Sequence, residues 1–110
     1  MYSKNMPTAT DIGCVKAATS ILGDKWTPLL LRYFVNEEEV RFCQLQDLVG
    51  GINPRTLSAR LTHLEEMDVI EKVIKDNVGF CTYRLTQKGT DLLPILRDMD
   101  AWSQKYGNVA

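Results

Sequence analysis

The sequence lacks most of the groups from which an active site or a metal centre is built. Its 110 residues include one histidine, His63, and three widely spaced cysteines, Cys14, Cys43 and Cys81, with no C-x-x-C pair. A structural zinc site needs a close set of such ligands, so we expect neither a metal nor another cofactor. A glycine-rich dinucleotide motif, a P-loop and a nucleophile elbow are also missing, which argues against an enzyme.

Long apolar runs and a strong net charge are missing as well. The longest apolar stretches, such as residues 28–31, are far too short to cross a bilayer, and residues 1–11 have no export-signal pattern. We therefore expect a cytoplasmic protein with reduced thiols and no membrane partner. The sequence has 13 basic and 14 acidic side chains, so its net charge is close to zero. Only a local cluster of positive charge would therefore indicate a nucleic-acid partner.

What is present is a globular composition, with 45% hydrophobic and 25% charged residues. We predict a single domain over residues 1–110, of which residues 1–10 are flexible because they show no hydrophobic periodicity. Helical spacing predicts a first helix that includes Cys14 and ends at Gly23. Asp24 is a suitable N-cap for a second helix with an apolar face.

The middle of the chain predicts two helices joined by a tight turn. Residues 41–42 suggest a very short strand, and a short helix around residues 45–48 ends at the glycine pair 50–51. Asn53 is then the N-cap, followed by a first-turn proline, of a helix over residues 54–67. A short helix, a glycine-containing turn and a second capped helix make a helix-turn-helix.

After this helix the spacing of the hydrophobic residues changes from the helical repeat to the alternation typical of β-strands. Residues 69–75 and 80–85 predict a hairpin with its turn at 76–79, which corresponds to a wing. The predicted cross-strand pairs are Lys75 with Phe80, Val73 with Thr82, and Glu71 with Arg84. A last helix with a broad apolar stripe follows, and Pro94 is expected to kink it. The predicted fold class is therefore α+β, a winged helix-turn-helix with terminal dimerisation helices.

Several of these segments resemble one known family. They are Cys14, Gly23-Asp24-Lys25-Trp26, Arg41-Phe42, Gly51-Ile52-Asn53-Pro54-Arg55-x-Leu57-Ser58-x-Arg60-Leu61-x-x-Leu64-Glu65, Tyr83-x-Leu85-Thr86-x-x-Gly89 and Trp102. In order and spacing they resemble the HxlR-type transcriptional regulators, relatives of the MarR family. The resemblance implies a dimeric transcription factor, and in some members a cysteine matching Cys14 responds to electrophiles or oxidants. Val15 replaces the family's usual proline after that cysteine, and the turn 76–79 has no basic residue.

The exposed face of the predicted helix 54–67 is the candidate surface for double-stranded DNA. At 100° per residue, Leu57, Leu61 and Leu64 share one arc that faces the core. The small and cationic residues elsewhere on the helix, which we predict to contact DNA, are Arg55, Thr56, Ser58, Ala59, Thr62 and His63. Arg55 has the guanidinium that pairs with guanine O6 and N7. A merely solvated helix face is the alternative.

Three further assignments each have an alternative. Arg60 lies beside the apolar arc, so a phosphate contact and a structural ion pair are both open. Lys75 on the wing contacts a phosphate or is simply solvated. Cys14 is a redox sensor or a buried, inert thiol, whereas we expect Cys43 and Cys81 to be in the core.

The last helix supplies a candidate dimer interface. Met99, Trp102 and Tyr106 continue an apolar stripe that a domain of this size does not need for its own core, so a homodimer is predicted, and plain core packing is the alternative. The alternative function is a winged helix that binds protein and not specific DNA. No motif specifies an inducer, whether a small molecule or an oxidant.

Overall fold

A computed structural model of the chain describes residues 15–75 and 80–107. Its elements are α1 (Lys16–Leu22), α2 (Thr27–Arg32), α3 (Phe42–Leu48), α4 (Pro54–Glu66), β1 (Ile70–Lys75), β2 (Phe80–Leu85), α5 (Gln87–Thr90) and α6 (Leu93–Tyr106). Helices and one small antiparallel sheet together confirm the α+β prediction. Cys14, residues 1–10 and the turn 76–79 lie outside the described residues, and so do the predictions made for them.

One hydrophobic core joins the helices to the hairpin. Leu57, Leu61 and Leu64 of α4 are at most 1% exposed, as their spacing predicted. Burying such a side chain contributes roughly 1.5–3 kcal/mol, so this face fixes how α4 is rotated. The same cluster contains Leu30 and Leu31 of α2, Leu45 of α3, and Val69, Ile70 and Tyr83 around the hairpin. Trp26, Phe42 and Leu85 are half-buried and pack against it.

Asp24 was predicted as the N-cap of the second helix, but α2 begins at Thr27 and its N-cap position is Trp26. Asp24 instead organises the turn directly before α2. Its Oδ1 accepts hydrogen bonds from the backbone N–H groups of Trp26 and Thr27, both at 2.8 Å. Its Oδ2 accepts a hydrogen bond of 2.6 Å from the hydroxyl of Thr27, which is completely buried. One carboxylate thus satisfies two backbone donors and a buried hydroxyl.

The hairpin has the predicted register, with Lys75 opposite Phe80, Val73 opposite Thr82 and Glu71 opposite Arg84. A third segment joins it, because Val40 and Tyr83 exchange two backbone hydrogen bonds of 2.8 Å. The predicted strand at residues 41–42 is wrong, since Phe42 already begins α3. The side chain of Gln44 accepts from the backbone N–H of Arg41 at 2.8 Å, which starts the helix there.

The C-terminal region corrects the prediction for Pro94, which lies in the first turn of α6 and kinks nothing. The chain first forms the separate short helix α5, whose N-cap Thr86 accepts a hydrogen bond from the N–H of Gly89. A Cβ at Gly89 would collide with the carbonyl oxygen of Val69. Close packing of α5 on the start of the hairpin therefore requires glycine.

The two described cysteines differ from their predicted placement in the core. Cys43 is exposed and Cys81 is half-buried. Cys43 is two positions before the fully buried Leu45, about 200° away around α3, so burying one turns the other outward. In the described part of the chain there is no group of metal-binding side chains. None of its helices is long and apolar enough to cross a membrane.

Candidate nucleic-acid interface

The helix-turn-helix consists of α3, a tight turn and α4. Gly51 in the turn has a φ of +87°, a left-handed backbone conformation that glycine adopts without strain. The side chain of Asn53 then accepts a hydrogen bond of 2.8 Å from the backbone N–H of Thr56, and Pro54 occupies the first turn. Tyr33 of the α2 C-terminus donates its hydroxyl to the carbonyl oxygen of Leu48 at 3.0 Å. These contacts hold the end of α3 and begin α4 at a defined point.

The first two turns of α4 present a small, positively charged surface. Arg55, Ser58, Ala59 and Thr62 are exposed, and Thr56 is half-buried. We call the four exposed residues the α4 outer face. Arg55 forms no ion pair with another described residue. Its guanidinium is therefore available to an external acceptor.

Arg60 and His63 point toward the side of α4 where α1 ends and α2 begins. Arg60 Nη1 lies 3.5 Å from Asp24 Oδ2, with both side chains about one-third exposed or less. His63 Nε2 lies 3.0 Å from the carbonyl oxygen of Ser20. Because a carbonyl only accepts, this contact requires a proton on Nε2. Of the two alternatives for Arg60, the structure shows the ion pair, and it places His63 beside α1 and not on the outer face.

The ionisation of Asp24 reflects this arrangement. Partial burial raises its pKa, but hydrogen bonds from the Thr27 side chain and backbone and from the Trp26 backbone lower it, as does the charge of Arg60. The net result is a pKa below the ordinary value of 3.8. Asp24 is therefore charged at neutral pH, and it connects the start of α2 to α4.

The described part of the wing contains one ion pair, between Arg84 and Glu71, and one candidate DNA contact, Lys75. Arg84 donates from Nε to Glu71 Oε2 at 2.6 Å, and this hydrogen bond together with the charge of Glu71 raises the pKa of Arg84. Arg84 of β2 is therefore paired with Glu71 of β1, as the register predicted. Lys75 is the last residue of β1, and its side chain lies outside what the structure describes.

A second surface lies on α6, away from α4. One side of the helix packs inward through Leu96. The other side carries Ile95, Met99, Trp102 and Tyr106, which are 42–63% exposed. The rings of Trp102 and Tyr106 lie 5.4 Å apart. We call these four residues the α6 apolar face. The predicted interface residues Met99, Trp102 and Tyr106 are thus together on one exposed side, and plain core packing does not account for them.

Two residues that position α4 were not recognised in the sequence. Ser20 contributes only its backbone carbonyl, so its residue type carries no signal. Asp24 was recognised as a cap but not as the partner of Arg60, 36 positions later. The exposed face of α4 was predictable because its rotation follows from the leucine spacing alone.

Comparison with known proteins identifies relatives over most of the chain. The family profile described as HxlR-like helix-turn-helix matches residues 21–110. The HTH-type transcriptional regulator YodB of Bacillus subtilis is 28% identical over 93 residues, covering 84% of this chain and 82% of YodB. The uncharacterized HTH-type transcriptional regulator BH0655 of Halalkalibacterium halodurans is 31% identical over 90 residues, covering 81% of this chain and 80% of BH0655.

Solved structures give the same result. The reduced form of YodB superimposes with a TM-score of 0.75 at 26% identity, covering 94% of this chain and 97% of YodB. YodB has also been solved after diamide treatment and with bound quinone. The redox regulator HypR in its oxidized form has a TM-score of 0.77 at 25% identity, covering 86% and 98%. The proteins named here are transcriptional regulators and not enzymes.

Proposed function

Since this chain belongs to the family of HxlR-like helix-turn-helix transcriptional regulators, we propose that it acts as a homodimer whose two α4 helices enter the major groove of one operator. The family membership confirms the resemblance seen in the sequence and the prediction that the chain is not an enzyme. The site of action would be the cytoplasm. In a dimer of this kind the two half-sites are about 34 Å apart along the duplex, or a multiple of that distance.

The observation that carries the proposal is the α4 outer face. Arg55 stands in the first turn of a capped helix, is exposed, and has no ion-pair partner among the described residues. A guanidinium in that position can donate two hydrogen bonds to guanine O6 and N7. The small neighbours Ser58 and Ala59 allow close approach, Thr62 extends the contact, and Thr56 is suited to a phosphate at the helix start.

Arg60 and His63 have a different part in this proposal. Their contacts to Asp24 and Ser20 hold α4 against the ends of α1 and α2. They therefore orient the outer face, and any phosphate contact by Arg60 would compete with its ion pair. Lys75 is proposed as a phosphate contact from the wing, because its strand partner is Phe80 and not an acidic residue.

The α6 apolar face supports dimerisation. Trp102 and Tyr106 are 63% and 58% exposed in a single chain, and large aromatic side chains bury much apolar area when a symmetry mate covers them. We propose that Met99, Trp102 and Tyr106 form this interface. The same dimer would set the spacing between the two half-sites.

A thiol response through Cys14 is the third part of the proposal. YodB is a relative that was solved reduced, treated with diamide and with bound quinone, which makes oxidants and quinones the first inducers to test. In the sequence Cys14 comes two residues before α1 begins, and α1 contacts α4 through Ser20 and His63. We propose that α1 transmits a change at Cys14 to the recognition helix.

Selection from random duplexes tests the proposal against its alternative, a winged helix that binds only protein. The purified protein is incubated with random-sequence DNA, and the retained duplexes are sequenced over several rounds. We expect enrichment of a two-fold symmetric sequence with two half-sites, and binding that weakens steeply as salt increases. Retention without any enriched sequence, or no retention at low salt, would contradict specific DNA binding.

A further inference from the structure

One flank of α4 faces α2, between the α4 outer face and the buried leucines. Thr56 and Arg60 are four positions apart on α4, so they lie one above the other on this flank. Asp24 reaches the flank from the turn before α2, with its Oδ2 at 3.5 Å from Arg60 Nη1. Lys25, the next residue, is exposed, and its Nζ lies 4.8 Å from the centre of the Trp26 ring. The flank therefore combines two positive charges with one negative charge.

The ion pair between Arg60 and Asp24 satisfies the carboxylate better than the guanidinium. Asp24 accepts three hydrogen bonds of 2.6–2.8 Å from Trp26 and Thr27, so it is held in place without Arg60. Arg60 has several N–H donors, and its ion pair within the described ranges is a 3.5 Å contact, longer than a good hydrogen bond. Most donors of Arg60 are therefore available to a stronger acceptor.

A phosphate of the DNA backbone is such an acceptor. A guanidinium forms charge-assisted hydrogen bonds with phosphate oxygens, and these are stronger than a loose, partly exposed ion pair. When the α4 outer face lies in the major groove, the backbone at the edge of the groove runs beside the flank of Thr56 and Arg60. Asp24 opposes the contact in two ways, because it binds the guanidinium and its own negative charge repels the phosphate.

We propose that Asp24 limits the affinity of the protein for DNA by holding Arg60 away from a backbone phosphate. The inference rests on the proposed function, because it requires α4 to enter the major groove. A phosphate contact carries no sequence information, so Asp24 lowers the affinity for every duplex alike and leaves sequence preference to the α4 outer face. Asp24 thus has a second role besides organising the turn before α2, since it sets the strength and the salt dependence of DNA binding.

Affinity measurements with Asp24→Asn over a salt series test the proposal. Asparagine keeps an oxygen for the backbone N–H groups of Trp26 and Thr27 but removes the negative charge. We expect the variant to bind the selected operator and a scrambled duplex about two- to fivefold more tightly than the wild type. The salt slope should become steeper by about 0.9, the value for one additional phosphate contact. Asp98→Asn removes one exposed negative charge on α6 and should leave both quantities at their wild-type values at about 0.15 M salt.

A double-mutant cycle shows whether the gain arises through Arg60. Arg60→Gln should lower DNA affinity more in the Asp24→Asn background than in the wild type, by the same factor of about two to five. Arg60→Lys in the Asp24→Asn background should keep most of the gain, because an ammonium also binds phosphate. A pair that only supports the fold predicts the opposite sign, since Asp24→Asn would then weaken DNA binding. Circular dichroism at the assay temperature identifies variants that are not folded.

Arg60→Gln in the otherwise wild-type chain gives a check that does not depend on the folding of Asp24→Asn. It should reduce the salt slope by less than about half a unit, and a loss of a full unit would overturn the proposal, because Arg60 would already bind a phosphate. Folded Asp24→Asn with no gain in affinity, or a gain that persists with Arg60→Gln, would also overturn it. An Arg60-dependent gain on scrambled DNA without sequence selection would refute specific DNA binding alone. Sequence selection without the gain would refute the role of Asp24 alone.

Discussion

Replacing Asp24 by alanine should destabilise the fold more than a surface substitution does. The carboxylate caps the backbone N–H groups of Trp26 and Thr27, and losing such a cap costs about 1 kcal/mol. The Thr27 hydroxyl, completely buried, would lose its acceptor, which costs about 1–3 kcal/mol more. The partly exposed pair with Arg60 adds about 0.2–1 kcal/mol. We therefore expect Asp24→Ala to lower the free energy of unfolding by about 2–5 kcal/mol.

Urea denaturation followed by circular dichroism measures this loss at one fixed protein concentration, because the stability of a dimer depends on concentration. Thr27→Val provides the matched background, since it removes the hydroxyl and keeps the side-chain shape. Asp24→Ala should cost less in that background, by the share that belongs to the Thr27 hydroxyl. Equal costs in both backgrounds, or a cost within about 0.5 kcal/mol of zero, would refute the reasoning.

The pH dependence of stability for a second variant at this position, Asp24→Asn, follows from the lowered pKa of Asp24. A carboxyl whose pKa is lower in the folded state contributes stability that is fully present above its ordinary value of 3.8. That contribution is lost as the pH falls through the lowered folded value. The stability difference between wild type and Asp24→Asn should therefore be constant near neutral pH and shrink in strong acid. A difference that grows on acidification would contradict the lowered pKa.

Three further predictions concern the interface, the thiol and the recognition helix. The wild type should sediment near twice its 12.5 kDa mass, and Trp102→Glu should shift it to monomer; a wild-type monomer at every concentration would remove the dimer. Diamide should lower DNA affinity in the wild type and in Cys43→Ser but not in Cys14→Ser, and an equal response in all three would exclude Cys14 as the sensor. Asn53→Ala should cost about 1 kcal/mol of stability and Asn53→Ser little; equal losses from both would mean that the cap at Thr56 is not the cause.

The features that were predictable from the sequence are those decided locally. The leucine spacing defines the buried face of α4, and a four-residue turn leaves one register for the hairpin, so Glu71 and Arg84 were paired correctly. The N-cap Asn53 was recognised for the same reason, because a cap bonds to backbone within three residues. Asp24 was recognised as a residue that bonds to the backbone at the start of α2, although Trp26 holds the N-cap position there. These elements need no knowledge of distant contacts.

The features that were missed depend on contacts between distant residues. His63 forms a hydrogen bond with the backbone carbonyl of Ser20, 43 positions earlier. Every residue has a backbone carbonyl, so the residue type of Ser20 does not predict this contact. The break before α6, which puts Pro94 in a first turn, depends on Gly89 packing against Val69 of the hairpin. Cys43 was predicted to be at an inward-facing position, but the rotation of α3 is set by the fully buried Leu45. The local sequence pattern predicted the helices and strands. The way these elements pack against one another determines the positions of His63, Pro94 and Cys43.

Affinity measurements with Arg55→Ala on the selected operator and on a scrambled duplex test the central claim most directly. If Arg55 reads a guanine, the variant should lose about 1–3 kcal/mol on the operator and little on the scrambled duplex, with preference lost at one base in each half-site. Lys75→Ala is the comparison, because a phosphate contact weakens both duplexes alike and lowers the salt slope by about one unit. An equal loss on both duplexes would make Arg55 a phosphate contact. No loss on either would contradict the entry of α4 into the major groove.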